Sequence, residues 1–187
     1  KICTQINEEL EQRQKVIVLI RILEFIFADD MHTKEELAFA ETVADTFNVK
    51  NEEYQEILQF VESSINKLAS HDNHLIINSK SEHHESKGKQ LHVDGIDGSI
   101  SILRVSSVKT YFIRYFGEQE LFLNGQVFSP NIIKVLRQGS SIKNTRIVPI
   151  YYSDILSQFL SKTFSSSLLN VPSQNSSIFS EKCDLRA

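Results

Sequence analysis

The chain has 187 residues, of which 41% are hydrophobic and 24% are charged, a balance typical of soluble globular proteins. Its net charge of -4 argues against nucleic acid as a partner, because binding to nucleic acid requires a basic face. Cys3 and Cys183 are too few for a disulfide framework or a cysteine zinc site, so a cytoplasmic location is expected.

The first predicted element is a helix over residues 8–28, which contain neither Gly nor Pro. Apolar side chains recur there at intervals of three and four: Leu10, Ile17, Ile20, Leu23 and Phe27. Other apolar residues occupy most of the remaining positions around the helix axis: Val16, Val18, Leu19, Ile22, Phe25 and Ile26. The helix is therefore expected to be central, covered on most sides and the hub of a bundle. Its apolar run is too short and too interrupted by charge to span a membrane.

Two more helices are predicted to follow. Thr33 stands three residues before Glu36, the spacing of a capping box, and this begins a helix over residues 34–47. Asn51 caps a third helix, whose apolar stripe is Tyr54, Ile57, Leu58 and Val61. Residues 1–70 are thus predicted to be a small antiparallel helical unit.

The amino-acid composition changes at residues 71–90, which are rich in Ser, His, Lys and Glu. A strand is predicted over residues 74–78, and residues 80–90 form a polar loop without core-forming side chains. This segment is interpreted as a strand and a flexible linker.

Residues 91–160 alternate β-branched and aromatic runs with turn residues, which predicts an antiparallel β-sandwich. Asn124-Gly125 favours a type I′ hairpin turn, and Gly139 marks a second tight connection. A short helix is predicted over residues 153–160, and the Ser-rich residues 161–187 are expected to be poorly ordered. The predicted fold class is α+β.

The helical unit resembles a tellurite-resistance TerB-like domain over residues 7–69. The resemblance rests on ILEFIFADDMHTKEEL at residues 22–37 and FNVKNEE at residues 47–53. Asp30 stands where the family usually has Gly, and about half the family's length is present, so a truncated version is implied. Asp29, Asp30 and Glu36 supply oxygen ligands at the turn between the first two helices and could hold a weakly bound calcium ion, and the acidic metal-binding surfaces of the family add support to this hypothesis. A solvated acidic turn with a helix cap is the alternative interpretation of the same residues.

The β part resembles a forkhead-associated (FHA) domain, a phosphothreonine-peptide binder. An apolar strand, Asn-Gly, a second apolar run, then Leu, Gly, small polar residues and Ile occur in the family's order. Residues 101–110, at the recognition loops, lack the family's Gly-Arg and its Ser-x-x-His. Candidate residues for holding a phosphate or carboxylate are Arg104, Ser106, Ser107, Lys109, Asn124 and Arg137. The same residue types are also typical of ordinary turns and surfaces.

A wider resemblance covers residues 7–160. The segments DGSI, YFIRYFG, ELFLNGQ, GSSI and PIYYSDI follow one another between residues 97 and 155. This order is similar to the cytoplasmic N-terminal region of a group of bacterial ABC-transporter ATP-binding proteins. There, a TerB-like unit and an FHA-like unit precede the ATPase domain. The resemblance implies a regulatory region that contacts an ATPase domain or transporter subunit, and so reaches the membrane through a transporter.

Two hypotheses for function follow. The first is a non-catalytic protein-interaction and regulatory region of such an ATP-binding protein. The second is a small ion-binding or stress-response protein of the TerB type. No motif of a hydrolase elbow, a metalloprotease helix or a phosphate-binding loop is present in the sequence, so an enzyme is not predicted. The residues His71, His74, His83, His84 and His92 are numerous enough for a transition-metal site, although most lie in the predicted loop.

Overall fold

The computed structural model describes residues 7, 9–28, 32–62, 72–79 and 89–167, with only the backbone from residue 161 onward. Its helices are α1 (Gln12–Ile26), α2 (Lys34–Thr46), α3 (Asn51–Glu62) and α4 (Tyr152–Ser167). Its strands are β1 (His74–Asn78), β2 (Lys89–His92), β3 (Ser99–Val105), β4 (Thr110–Phe116), β5 (Phe122–Leu123), β6 (Gln126–Val127), β7 (Lys134–Leu136), β8 (Ser141–Lys143) and β9 (Ile150–Tyr151).

The strands form two sheets that pack face to face. Sheet A has the order β2-β1-β3-β4-β7, and sheet B has the order β6-β5-β8-β9. Neighbouring strands are antiparallel except β1 and β2, which are parallel. Apolar side chains from both sheets share one core cluster. The predicted mixed α+β class and the strand over residues 74–78 are thereby confirmed.

Sheet A is the middle layer of the molecule. Successive side chains of a strand point to opposite faces, and β3 is buried on both. Ile100 and Ile102 pack with sheet B, whereas Leu103 and Val105 pack with α1, α2 and α3 in a second core cluster. This explains why the central strands are apolar at nearly every position, as in sheets covered on both faces.

Polar contacts fasten the helices to sheet A. Arg114 of β4 donates hydrogen bonds to the carbonyls of Val61 at 2.7 Å and Phe60 at 3.5 Å, where a cation complements the negative end of the α3 dipole. Its guanidinium also lies 4.7 Å from the Phe116 ring centre. Burial lowers the pKa of Arg114 from its ordinary value, and the nearby Glu24 carboxylate acts in the opposite direction.

A second set of hydrogen bonds joins α1 to the loop before β7. The Glu24 carboxylate accepts from the Ile133 N–H at 3.1 Å, and the Arg21 Nη1 donates to the Ile133 carbonyl at 3.0 Å. Arg21 and Glu24 also bond to each other. Both backbone groups of Ile133 are therefore satisfied by helix side chains, which fixes the position of α1 on the sheet.

Several local predictions agree with the structure. Thr33 and Glu36 form the capping box of α2. Asn124 and Gly125 both have positive φ, at 56° and 80°, in the turn between β5 and β6. These agreements share one cause, because each feature is decided by side chains within a few residues of one another.

Other predictions are corrected. The prediction that α1 is covered on most sides is wrong at Phe25, which is 81% exposed. β2 begins at Lys89, inside the segment predicted to be a loop, because β1 supplies a parallel partner. The helix predicted over residues 153–160 runs on through Ser167, so it includes the start of the tail predicted to be poorly ordered. Residues 168–187 lie outside the described residues. Within the described chain, no helix has the length and apolarity needed to cross a membrane.

Candidate functional site

The β3–β4 hairpin ends in a turn beside α4, and this end of the molecule carries most of the predicted polar residues. Arg104 and Tyr111 are directly opposite each other in the β3–β4 register. The Tyr111 ring lies edge-on to Tyr152 with 5.7 Å between ring centres, and 5.4 Å from the Phe159 ring. Helix α4 therefore packs across the end of the hairpin and leaves a concave surface beside it.

Two adjoining depressions form this surface, which we call the tyrosine cleft because both contain Tyr111 and Tyr152. Their volumes are about 430 and 660 Å³, within the size range of ligand pockets. The smaller is lined by Arg104, Ser106, Lys109, Tyr111, Tyr152 and Leu156. The larger is lined by Lys109, Tyr111 and Tyr152 together with Glu11, Arg13, Gln14, Ile17, Val108, Thr110, Val135, Leu136, Arg137 and Gln138.

Arg104 is held in place before any ligand binds. Its Nε and Nη2 donate to the Asn73 Oδ1 at 3.0 and 2.8 Å, and its guanidinium lies 5.2 Å from the Phe159 ring centre. The Asn73 amide in turn donates to both carboxylate oxygens of Glu56 at 2.9 and 3.1 Å. Because Asn73 is neutral, these bonds orient the guanidinium without cancelling its charge, and they bring α3 into the support of the site.

The cleft is positively charged although the chain as a whole is negative. Four cations line it, namely Arg13, Arg104, Lys109 and Arg137, against one carboxylate, that of Glu11. Within the part of the chain that the structure describes, none of the four forms an ion pair with a carboxylate. Lys109 has a φ of 47°, a left-handed conformation at the tip of the turn. The four charges are therefore available to an anionic ligand.

Tyr111 contributes a hydroxyl with altered acidity. Burial raises the pKa of Tyr111 above its ordinary value, the neighbouring Tyr152 adds to this, and the Arg104 charge opposes it. The hydroxyl therefore stays protonated at neutral pH and can donate a hydrogen bond to an anion.

The structure brings together four of the six predicted binding residues. Arg104, Ser106, Lys109 and Arg137 all line the cleft. The other two have structural partners elsewhere and do not line it. Ser107 is bound to the Glu53 carboxylate through its N–H and its hydroxyl. The Asn124 Oδ1 accepts from the N–H of Ser141, the first residue of β8, at 2.9 Å.

Sequence reasoning missed residues that helices bring to the cleft, among them Arg13 and Tyr152. Arg13 comes from the first turn of α1, and Tyr152 from the first turn of α4. No local pattern distinguishes either residue from an ordinary helix residue. Only the packing of both helices against the β3–β4 hairpin brings them to the site.

Of the three predicted calcium ligands, the structure describes only Glu36. Asp29 and Asp30 lie outside the described residues, so the calcium site stays a prediction. Glu36 is bound to the backbone N–H and the hydroxyl of Thr33 in the capping box. These hydrogen bonds, the backbone one first, lower the pKa of the Glu36 carboxyl.

The histidine prediction also falls largely outside the described chain, which omits His71, His83 and His84. Of the other two, His74 is buried next to the Phe60 ring, and the His92 Nε2 lies 3.0 Å from an Asp94 carboxylate oxygen. Among the residues that the structure describes, no group of three or more His, Cys, Asp or Glu side chains is arranged to hold a metal ion.

Comparisons with known proteins add no relative to this picture: no family model, curated protein or solved structure matches the chain.

Proposed function

We propose that this chain is a non-catalytic protein-interaction and regulatory module that binds an acidic or phosphorylated segment of a partner protein in the tyrosine cleft. The observation that carries the proposal is the concentration of four cations on one cleft, in a chain whose net charge is -4. Such a local reversal of charge favours an anionic ligand and steers it toward the site.

The chemistry of the cleft suits a phosphate or carboxylate group. An arginine and a lysine next to hydroxyl groups make charge-assisted hydrogen bonds to such anions, and these bonds are stronger than neutral ones. Arg104 is already oriented by Asn73, so little side-chain freedom is lost when a ligand binds. The rings of Tyr111 and Tyr152 offer an apolar surface to the residues next to the anion.

We also propose that the module stands ahead of the ATPase domain of a bacterial ABC-transporter ATP-binding protein, with a TerB-like helical part and an FHA-like sandwich. The order of five sequence segments between residues 97 and 155 supports this. A partner segment would then belong to the ATPase domain, to a transporter subunit or to a regulator at the cytoplasmic side of the membrane.

Binding in the cleft is tested with a variant that removes two exposed charges, Lys109→Asn with Arg137→Ala. Asn is chosen because it tolerates the positive φ of Lys109. The control is Arg146→Ala, which removes an exposed cation outside the cleft. The probes are three immobilised peptide libraries that carry phosphothreonine, glutamate or threonine at one fixed position.

The wild-type chain and Arg146→Ala should retain peptides from the phosphothreonine or glutamate library in preference to threonine. The double variant should bind them at least about tenfold more weakly, since a hydrogen bond to a charged group contributes about 1.5–3 kcal/mol. Equal binding by the double variant, or no preference by the wild type, would refute the cleft as an anion site.

The proposed place in a longer protein is tested by the size of the native gene product. An antibody raised against this chain should detect a species much larger than 21.4 kDa in the source cell. A species of 21.4 kDa that is stable and uncleaved would contradict the proposed connection to an ATPase domain, and would leave the anion-binding proposal to be judged on the peptide experiment alone.

A further inference from the structure

An apolar groove of about 590 Å³ lies between α1 and α2, at the edge of the core that these helices share with sheet A. It is lined by Ile17, Val18, Arg21, Ile22, Phe25, Ile26, Glu35, Glu36 and Phe39. Phe25 and Phe39 are 81% and 56% exposed. The groove meets the tyrosine cleft only at Ile17, so the two surfaces are otherwise composed of different residues.

The apolar positions of α1 form a continuous stripe. Val18, Ile22 and Phe25 are spaced by four and three residues, which places them on one side of the helix. A stripe of this spacing is typical of a seam between packed helices, yet here it flanks an open groove. The Phe25 ring is four-fifths exposed and stands beside the groove, so this surface contains both a projection and a hollow.

We propose that this surface joins two copies of the chain about a two-fold axis. A two-fold interface uses the same patch on both subunits, so each projection must fit a hollow of the same patch. Phe25 of one copy would enter the groove of the other beside Phe39, and the reverse would hold at the same time. A surface that contains both features meets the first requirement of such an interface.

The charges of the groove are self-complementary as well. The groove contains Arg21 on α1 and two carboxylates, Glu35 and Glu36, on α2. Glu36 is bound to Thr33 in the capping box of α2, which leaves Arg21 and Glu35 as the two opposite charges that face a second copy. The bonds of Arg21 to Glu24 and Ile133 both use Nη1, and among the described residues none uses its Nε or Nη2. These two nitrogens can donate to Glu35 of the second copy, which has no ion-pair partner within the described chain.

The size of the face sets the expected strength. Helices of 15 and 13 residues are about 20 Å long, and two helices side by side are roughly 20 Å wide. The face therefore measures on the order of 400 Å² per copy, or roughly 800 Å² in all, below the area of stable interfaces and in the range of weak, transient ones. Association is expected only at high protein concentration or where copies are held close together.

The test is sedimentation equilibrium of the chain at about 100 μM, a concentration suited to a weak interface. The wild type should approach twice 21.4 kDa, and Phe25→Glu should remain at 21.4 kDa. The matched control is Val148→Glu, since Val148 is 78% exposed but lies outside the groove. That control should associate as the wild type does, and circular dichroism should show that both variants keep the wild-type fold.

A second variant tests the two-fold geometry separately. Glu35→Lys places two like charges opposite each other and should weaken association at least several-fold, whereas Glu118→Lys changes the charge equally at an exposed position outside the groove and should not. A wild-type mass of 21.4 kDa at the highest concentration, or a dimer that survives Phe25→Glu, would overturn the proposal. Undiminished association of Glu35→Lys would overturn the pairing of Arg21 with Glu35.

Discussion

Replacing Phe112 with Ala is expected to lower the free energy of unfolding by about 3–5 kcal/mol, the range for a buried aromatic side chain cut back to a methyl group. Phe112 is 1% exposed and lies on the face of β4 that packs against the helices. Since whole domains are stable by only about 5–15 kcal/mol, the loss should be a large share of the total.

The more informative result is the shape of the unfolding transition. The core cluster that contains Phe112 includes side chains of α1, α2, α3 and sheet A, so a cavity there removes contacts from both layers at once. The helical signal in the far-ultraviolet and the tyrosine signal in the near-ultraviolet should disappear together, at one lowered temperature. Circular dichroism during heating measures both signals.

Phe25→Ala is the matched control, because it makes the same chemical change at a ring that is 81% exposed. Measured well below the concentration used for sedimentation, it should shift the transition far less than Phe112→Ala does. If Phe112→Ala separates the two signals into two transitions, the helices and the sandwich fold independently and the common core is not what stabilises them.

The second large effect is expected at Gly98, the residue that precedes β3. Gly98 has a φ of +87°, and a Cβ there would overlap the Phe116 carbonyl oxygen and lie 2.8 Å from the Gly117 Cα. Both obstacles are backbone atoms, which cannot rotate away. Gly98→Ala must therefore separate the paired ends of β3 and β4, and we expect a loss of more than about 3 kcal/mol, at the high end for single substitutions.

Gly125 offers a control with the same conformation and no obstacle. Its φ is +80°, and no atom lies within 4 Å of the Cβ position. Gly125→Ala should therefore cost only the left-handed backbone strain, about 1–2 kcal/mol. Chemical denaturation of both variants measures the difference, and equal losses would show that the close approach at Gly98 contributes nothing.

Features decided by neighbouring residues could be predicted from the sequence. The capping box of Thr33 and Glu36 needs only two side chains three residues apart. The turn at Asn124 and Gly125 needs only two residues that accept positive φ. Three of the six predicted binding residues, Arg104, Ser106 and Lys109, lie within one hairpin end and so reached the cleft together. Arg137 follows β7 and reached the cleft because β7 pairs with β4.

Features decided by distant parts of the chain could not be predicted. The short strand β2 exists because β1 offers it a parallel partner, and its own sequence carries no strong strand signal. Phe25 could not be told from the buried residues of α1, since the helix has apolar side chains on most sides. Which of them are covered is decided by how α2, α3 and sheet A pack against the helix. Arg13 and Tyr152 joined the cleft for the same reason.

The hydrogen bonds from Arg21 and Glu24 of α1 to Ile133 have a consequence for synthesis on the ribosome. About a hundred residues separate the end of α1 from Ile133, and translation at about 5–20 residues per second needs on the order of 5–20 s to cover them. For most of that interval, until β3 and β4 have been synthesised, the apolar side of α1 has no sheet to lie on. The nascent helices are thus natural clients for chaperones that shield apolar segments, and a pause in translation before β4 would prolong that dependence.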